Sequence, residues 1–442
     1  MRCSVIALLF TLPAFAGQLE TRQPVLQLSL KKAVEIALSP EGSTRLQLAG
    51  ETLKQTEARQ DQARAALLPD LEGQVSEQNL TRNLAALGIQ FPSLPGFHIP
   101  TVVGPFNVLD IRASVNQSVF DFSSIRRFQS AKVSTSAAKS EVNNTRDQVM
   151  DQVARAYLAG LRAQTSVETA KANVELSEAL VKLAESQKNA GTGTGIEVTR
   201  ANVQLANDRQ NLLVAQTQQT RANLQLLKVL GVRLDNPVEL TDRMDYVPVD
   251  LVDATQALTT ALNSRPDLKA QKEREESAKL AYSSVKFERM PSLAGFADYG
   301  TIGTNESLLP TRTYGIALRI PLFDGGRRDA RRAESASQLR QERIRTADLH
   351  DQIELQVRTA IDSVTSADQQ VKTANEGVRL AEDELTHARR RYEAGITNSI
   401  EVTDAQTRLA RARENVINAL YNHNLARIDL ASAMGKIETV VH

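Results

Sequence analysis

Twelve residues from Ala190 to Ala201, reading AGTGTGIEVTRA, return 204 positions later as Ala394 to Ala405, AGITNSIEVTDA, with seven positions identical. The offset persists downstream, where Leu205 meets Leu409, Ala206 meets Ala410, Arg209 meets Arg413, Asn211 meets Asn415 and Gly231 meets Gly435. A period this long is not that of a solenoid; it is one supersecondary unit used twice. Each copy sets a Gly-centred break between two long stretches of helical pattern, so each is predicted to be the tip of a helical hairpin. The chain must therefore fold as two related halves.

The halves can be read in parallel. A short helical piece (29–38; 253–262) precedes a Pro-marked start at Pro40 or Pro266, and a polar helix of about 26 residues then runs to Leu68 or Met290. Pro69 and Pro291 stop it, because proline disfavours helix in the residue before it. Periodicity then switches to two. Leu71, Gly73 and Val75 alternate with polar residues, as do Leu293, Gly295, Ala297 and Tyr299. The returning segments are clearer: Leu109, Ile111, Ala113, Val115 and Val119 oppose Asp110, Arg112, Ser114, Asn116 and Ser118, and Tyr314, Ile316, Leu318, Ile320 and Leu322 share one face. Such runs fit strands crossing an outer membrane around a wet lumen, but an ordinary half-buried sheet alternates in the same way. The loop inside the first strand pair, Leu84 to Pro100, is long and Pro-rich and is placed on the outer side.

Phe120-Asp121 and Phe323-Asp324 end the second and fourth strands, and Arg126-Arg127 and Arg327-Arg328 follow, positions suited to lipid phosphates or to plain solvated helix starts. From there helical pattern runs roughly 65 residues to each tip, about 100 Å at 1.5 Å per residue. An ascending helix of about 36 residues then ends at Gly231 or Gly435, each a suitable C-terminal cap. The ~26- and ~36-residue helices laid end to end match the ~65-residue one. Each half is thus a strand hairpin on a long antiparallel helical pair, with one helix continuous and its neighbour interrupted.

Composition narrows the function classes. Of 442 residues only 4% are aromatic and none is Trp, a usage of long helices rather than of a compact enzyme core. Arg2, the apolar run Val5 to Phe10 and Ala14-Phe15-Ala16 are expected to form a secretory signal peptide over 1–16. Its removal takes Cys3, the only cysteine, and leaves 52 basic against 52 acidic side chains, so neither thiol chemistry nor nucleic-acid binding is expected. His98, His350, His387, His423 and His442 are scattered without metal-ligand spacing and are expected to be solvated. The Gly-rich tip lacks the Lys of a phosphate-binding loop. No catalytic residue, metal or cofactor is expected. After residue 16 no apolar run approaches the ~20 residues of a membrane helix, and four strands cannot close a barrel, so either several chains share one or the strands lie outside a membrane.

With these features the chain resembles the TolC family of outer-membrane efflux proteins. The resemblance is carried by the twin tips Gly191…Ile196-Glu197-Val198 and Gly395…Ile400-Glu401-Val402, by Tyr392, by the two Pro-started hairpins and by the terminal Gly231 and Gly435, and it spans nearly the whole chain beyond the signal peptide. It implies a mainly α fold with a β-barrel portion: a homotrimer forming a 12-stranded outer-membrane barrel and a 12-helix periplasmic α-barrel. The expected segments are a first repeat over 17–232 (strands about 70–80 and 106–121, tip about 190–197), an equatorial connection over 233–252, a second repeat over 253–435 (strands about 291–302 and 312–323, tip about 394–401) and a tail over 436–442.

The resemblance further implies a passive channel component of a tripartite efflux or type I secretion system in a Gram-negative outer membrane, working with a periplasmic adaptor (membrane fusion protein), an inner-membrane pump and outer-membrane lipid. Carried over residue by residue, Glu401 and Asp404 form an acidic constriction, and Tyr392, Glu197 and position 397 supply the links that close it. Thr397 stands where a basic residue is expected, with Arg389, Arg390 and Arg391 as the nearby substitutes, and Tyr392→Phe is expected to raise conductance. Gly191, Gly193, Gly195 and Gly395 are the implied adaptor-docking tips. The alternative is a soluble periplasmic coiled-coil adaptor, which also has hairpins and a signal peptide.

Overall fold

The computed structural model describes residues 25–89, 100–249, 253–304 and 306–441. The expected signal peptide with Cys3, most of the Pro-rich loop with His98, and His442 lie outside the described residues.

The first repeat runs β1 (Leu26–Leu28), α1 (Leu30–Leu38), α2 (Thr44–Ala65), β2 (Asp70–Asn83), β3 (Val102–Phe120), α3 (Phe122–Asn189) and α4 (Gly195–Leu230). After β4 (Val238–Leu240), the second runs α5 (Ala254–Ser264), α6 (Pro266–Phe287), β5 (Ser292–Thr304), β6 (Ser307–Arg319), α7 (Arg327–Glu393), α8 (Ser399–Ala433) and α9 (Glu438–Val441). The two continuous helices have 68 and 67 residues, and their interrupted partners have 22 plus 36 and 22 plus 35.

Local chemistry explains the ends. Asp121 caps α3 by accepting from the Ser123 amide at 2.9 Å, and Pro266 occupies the first turn of α6, where its missing N–H costs nothing. The polar helices α2 and α6 close at Ala66 and Glu288, short of the expected Leu68 and Met290. The fourth strand covers 307–319 rather than 312–323: it begins where the Thr304–Ser307 register closes the hairpin and ends before Pro321, which has no amide to give. Pro310 is tolerated inside β6 because β6 is an edge strand.

The four long strands form one antiparallel sheet in the order β2-β3-β5-β6, leaving β2 and β6 as open edges. Its register places Leu71, Val75, Ile111, Val115, Tyr299, Tyr314, Ile316 and Leu318 on one face. Most of that face is bare: Tyr314 is 80% exposed, Ile316 74%, Val75 71% and Leu71 70%. The other face carries Asp110, Arg112, Ser114 and Asp298, with the Arg112 guanidinium 2.8 Å from Asp110 and 3.6 Å from Asp298. An ordinary half-buried sheet covers its apolar face; this sheet exposes it and carries the Arg112 ion pairs on the opposite side. No described helix is long and apolar enough to cross a membrane.

The buried clusters sit among the helices. One gathers α1, α3, α4, β1 and β4 around Val153, Tyr157 and Leu226; a second joins α5, α6, α7 and α8 around Leu268, Ile353 and Val357; a third lies near the tips. The parallel pair β1–β4, three residues each, was not expected from the sequence. It is fastened by Tyr157 Oη, 2.9 Å from both the Leu28 carbonyl and Asp242 Oδ2.

Gly231 closes α4 at φ +72°, and a Cβ there would lie 2.5 Å from the Gly42 carbonyl oxygen. Gly231→Ala combines left-handed strain with a backbone clash and should cost roughly 2 kcal/mol or more. Gly191 has similar φ (+75°) and open surroundings; Gly191→Ala should cost about 1 kcal/mol. Thermal melts followed by helical circular dichroism should rank the two variants in that order.

Candidate gate at the helical tips

At the first tip α3 ends at Asn189, Gly191 turns the chain, and α4 starts at Gly195. Thr194 and Glu197 cap one another: Glu197 Oε2 accepts from the Thr194 amide at 2.8 Å and faces its hydroxyl at 3.2 Å. At the second tip Gly395 turns the chain at φ +68°, and Asn398 caps α8 through the Ile400 amide at 3.1 Å. Glu401 is thereby free for other partners. It accepts from the Thr397 hydroxyl and lies 3.5 Å from the Arg391 guanidinium. Of the three arginines named as substitutes, Arg391 meets Glu401 on its own hairpin, and Arg389 is taken by Glu393 at 2.9 Å. Asp404 follows one turn along the helix and is exposed.

The structure does not bring the Tyr392 hydroxyl onto Glu197. Tyr392 is buried in the cluster with Leu180, Leu385, Ala388, Val402 and Leu409, and its Oη has no hydrogen-bond partner among the described residues. Burial first, and the nearby Glu197 charge second, push its pKa up. The two side chains line one small cavity of about 20 Å³, together with Ser399, whose buried hydroxyl is also unpartnered. What joins the hairpins at this level is the Gln187 side-chain amide, donating to the Tyr392 carbonyl at 3.3 Å.

Deeper in, a polar node went unrecognised in the sequence. Asp208 of α4 is buried and has no cationic partner among the described residues. Its carboxylate accepts from Ser177 of α3 at 2.5 Å, from Gln204 at 3.2 Å and from Gln406 of α8 at 3.4 Å; Gln406 also donates to Ser177. A buried carboxylate is tolerable only when donors surround it. Here they come from three helices and both repeats, so the node pins α8 to the first hairpin.

Gly191, Gly195 and Gly395 have open space where a side chain would stand, whereas Gly193 packs against the end of α3. Beside them Ile196, Ile396 and Ile400 are exposed, giving the tips an apolar surface. Among the described residues there is no cluster suited to a metal.

The model of the outer membrane efflux protein family matches residues 41–232 and 257–436. Among curated relatives, the outer membrane efflux protein BepC of Brucella suis is 22% identical over 358 residues, covering 76% of this chain and 77% of the relative. The alkaline protease secretion protein AprF of Pseudomonas aeruginosa is 22% identical over 326 residues, covering 70% and 66%. The solved outer membrane protein VceC of Vibrio cholerae shares the fold with a TM-score of 0.77 at 20% identity, over 92% of this chain and 96% of that one. These matches favour an outer-membrane channel over a soluble adaptor.

Two outcomes follow for this site. Tyr392→Phe removes a hydroxyl that makes no hydrogen bond, so it should leave the melting temperature unchanged or raised, against the sequence-based expectation of a lost link. Gln406→Glu sets a second carboxyl beside Asp208 and should destabilise the protein most near neutral pH. One carboxyl of such a pair has a raised folded-state pKa, so the deficit relative to wild type should shrink as pH falls through that value. Thermal melts of both proteins across pH check the sign.

Proposed function

The chain belongs to the outer membrane efflux protein family, and from that membership we propose that it is the outer-membrane channel of an envelope-spanning export assembly. The observation that carries this reading is the inverted sheet, with its apolar face exposed and its ion pairs on the other side. Lipid suits the first face and a water-filled lumen the second. Four strands with bare edges at β2 and β6 cannot stand alone in a bilayer, where every backbone polar group needs a partner. Three copies supply twelve strands, and the same trimer brings α3, α4, α7 and α8 into a ring of long helices.

In that assembly the protein is a passive duct, opened and closed at its periplasmic tips, with energy drawn from an inner-membrane pump. A periplasmic adaptor docks on the Gly-turned tips through their exposed isoleucines. Relatives are named for efflux and for protease secretion, so both a tripartite efflux pump and a type I secretion system are suitable partners. Glu401 and Asp404, one turn apart, line the constriction in three copies, an acidic ring that attracts cations. Arg391 offsets part of the Glu401 charge, which leaves exposed Asp404 as the stronger contributor.

Fractionation should recover the protein in the outer membrane as a detergent-stable trimer; recovery in the soluble periplasm ends the channel reading. In planar bilayers, Glu401→Ala combined with Asp404→Ala should lower cation preference, with Asp404→Ala giving the larger single effect. Unchanged selectivity in the double variant removes the ring from the pore.

A further inference from the structure

His423 of α8 is completely buried, and neither of its ring nitrogens has a hydrogen-bond partner among the described residues. The sequence gives no hint of this, since a lone polar histidine on a long helix is by default solvated. Its cover is an irregular strap, residues 241–249, that connects the two repeats. At one end Asp242 Oδ2 holds the strap to the first repeat, accepting from the Leu30 amide at 2.8 Å and lying 2.9 Å from Tyr157 Oη. At the other end the strap lies on the second repeat. There the Tyr246 ring packs on the His423 ring with centroids 4.9 Å apart, the Tyr246 hydroxyl donates to Asp368 of α7, and Asn424 of α8 donates to the Asp245 carbonyl at 3.1 Å.

We propose that His423 and Tyr246 form an acid-labile clasp that holds the 241–249 strap against α7 and α8 and lets go when the imidazole is protonated.

The surroundings accept a neutral ring and reject a charged one. On its own helix His423 faces Arg427, whose repulsion adds to that of burial. From α7 only Asp368 attracts it, and that carboxylate is already held by Lys372 at 2.7 Å and by the Tyr246 hydroxyl. The strap contributes Tyr246, whose hydroxyl is engaged, and Asp245, whose carbonyl is engaged by Asn424. Protonation creates a second N–H donor and a positive charge, and the attraction of Asp368, already shared by Lys372 and Tyr246, does not offset burial and Arg427. Lifting the strap removes the Tyr246 ring from the imidazole and opens that side of it to water.

Burial holds the His423 pKa below its ordinary value while the strap is docked. The lifted state, with a hydrated ring, titrates near the usual value of about 6.5. Docking is therefore fully favoured above that value and weakens as pH falls below it. Release removes one tie between the first repeat and the α7–α8 hairpin that carries Glu401 and Asp404, leaving the Asp208 node nearer the tips as another. The clasp itself does not depend on the channel reading; only that consequence for the gate does.

The test uses the full chain with spin labels on Val247→Cys in the strap and Asp351→Cys on α7, diluted with unlabelled protein so that distances within one chain are read. The two helix positions Asp351 and Asp368 are 17 residues apart, about 25 Å along α7, within the range of pulsed dipolar spectroscopy. At about pH 7.5 a single narrow distance is expected, and at about pH 5.5 a broadened distribution displaced by about 5 Å or more, one helical pitch. His423→Phe, or His423→Leu should Phe not fold, cannot be charged and should keep the narrow distance at both values. A distribution unaffected by pH in the wild type, or one that broadens equally in the variants, overturns the proposal. A conductance assay on the same samples separates the clasp from the gate: strap release without a change in conductance retains the clasp and removes its coupling to the pore.

Discussion

The constraint on which the molecule depends is the length of α3 and α7. Helices of 68 and 67 residues run about 100 Å, and no single hairpin partner of 36 or 35 residues can cover them. The remainder of each is covered by a second, shorter helix, α2 for α3 and α6 for α7, and α6 packs on α3 as well. Between the two covering pieces a gap must be bridged. The equatorial elements fill it: α1, β1 and β4 beside Tyr157 in the first repeat, and α5 beside Ile353 and Val357 in the second. Interrupting the partner helix is thus what produces the belt, and the belt supplies the strap that ties the repeats.

The same long helices set the sheet. Each strand pair joins a polar helix, α2 or α6, to a continuous helix, so both hairpins emerge at the same end and pair through β3 and β5. A single sheet results, with β2 and β6 as its edges. In water such edges invite other strands, and so does the bare face from Leu71 to Leu318. In a bilayer the face is satisfied by lipid, and only the edges still require partners. Membrane insertion and assembly therefore answer two different deficits of one sheet.

Much of this was legible in the sequence because it follows from local chemistry. The helix lengths came from Pro and Gly positions, and observed spans of 36 and 35 residues match the expectation of about 36. The alternating strands were legible as well, but the direction they face was not. That required seeing Tyr314 and Ile316 bare while Asp110, Arg112 and Asp298 paired on the other side. The Asp208 node was hidden because Ser177, Asp208 and Gln406 are each ordinary polar residues on polar helices, joined only by three-helix packing. His423 was misjudged for the same reason, since its cover comes from a strap about 180 positions away. The strands β1 and β4 are too short for any period to register.

The two halves match at a constant offset, and the difference between their tips lies in what surrounds an identical glutamate. With the offset of 204, Glu197 corresponds to Glu401, Thr194 to Asn398, Gly193 to Thr397 and Gln187 to Arg391. Thr194 and Glu197 cap each other, which commits that carboxylate to its own helix end. Asn398 caps α8 with its own side chain, and so Glu401 is released to Thr397 and Arg391. The node obeys the same logic. Ser177 and Asp208 correspond to Ala381 and Ala412, and Gln406 corresponds to Asn202, so only one polar junction can form where a symmetric pair of hairpins would have two or none. The first tip commits its glutamate to a helix cap, and the second commits Glu401 to Thr397 and Arg391 while leaving Asp404, which corresponds to Arg200, exposed, so the pair is asymmetric. That asymmetry rests on a handful of substitutions at positions where backbone and helix length stayed the same.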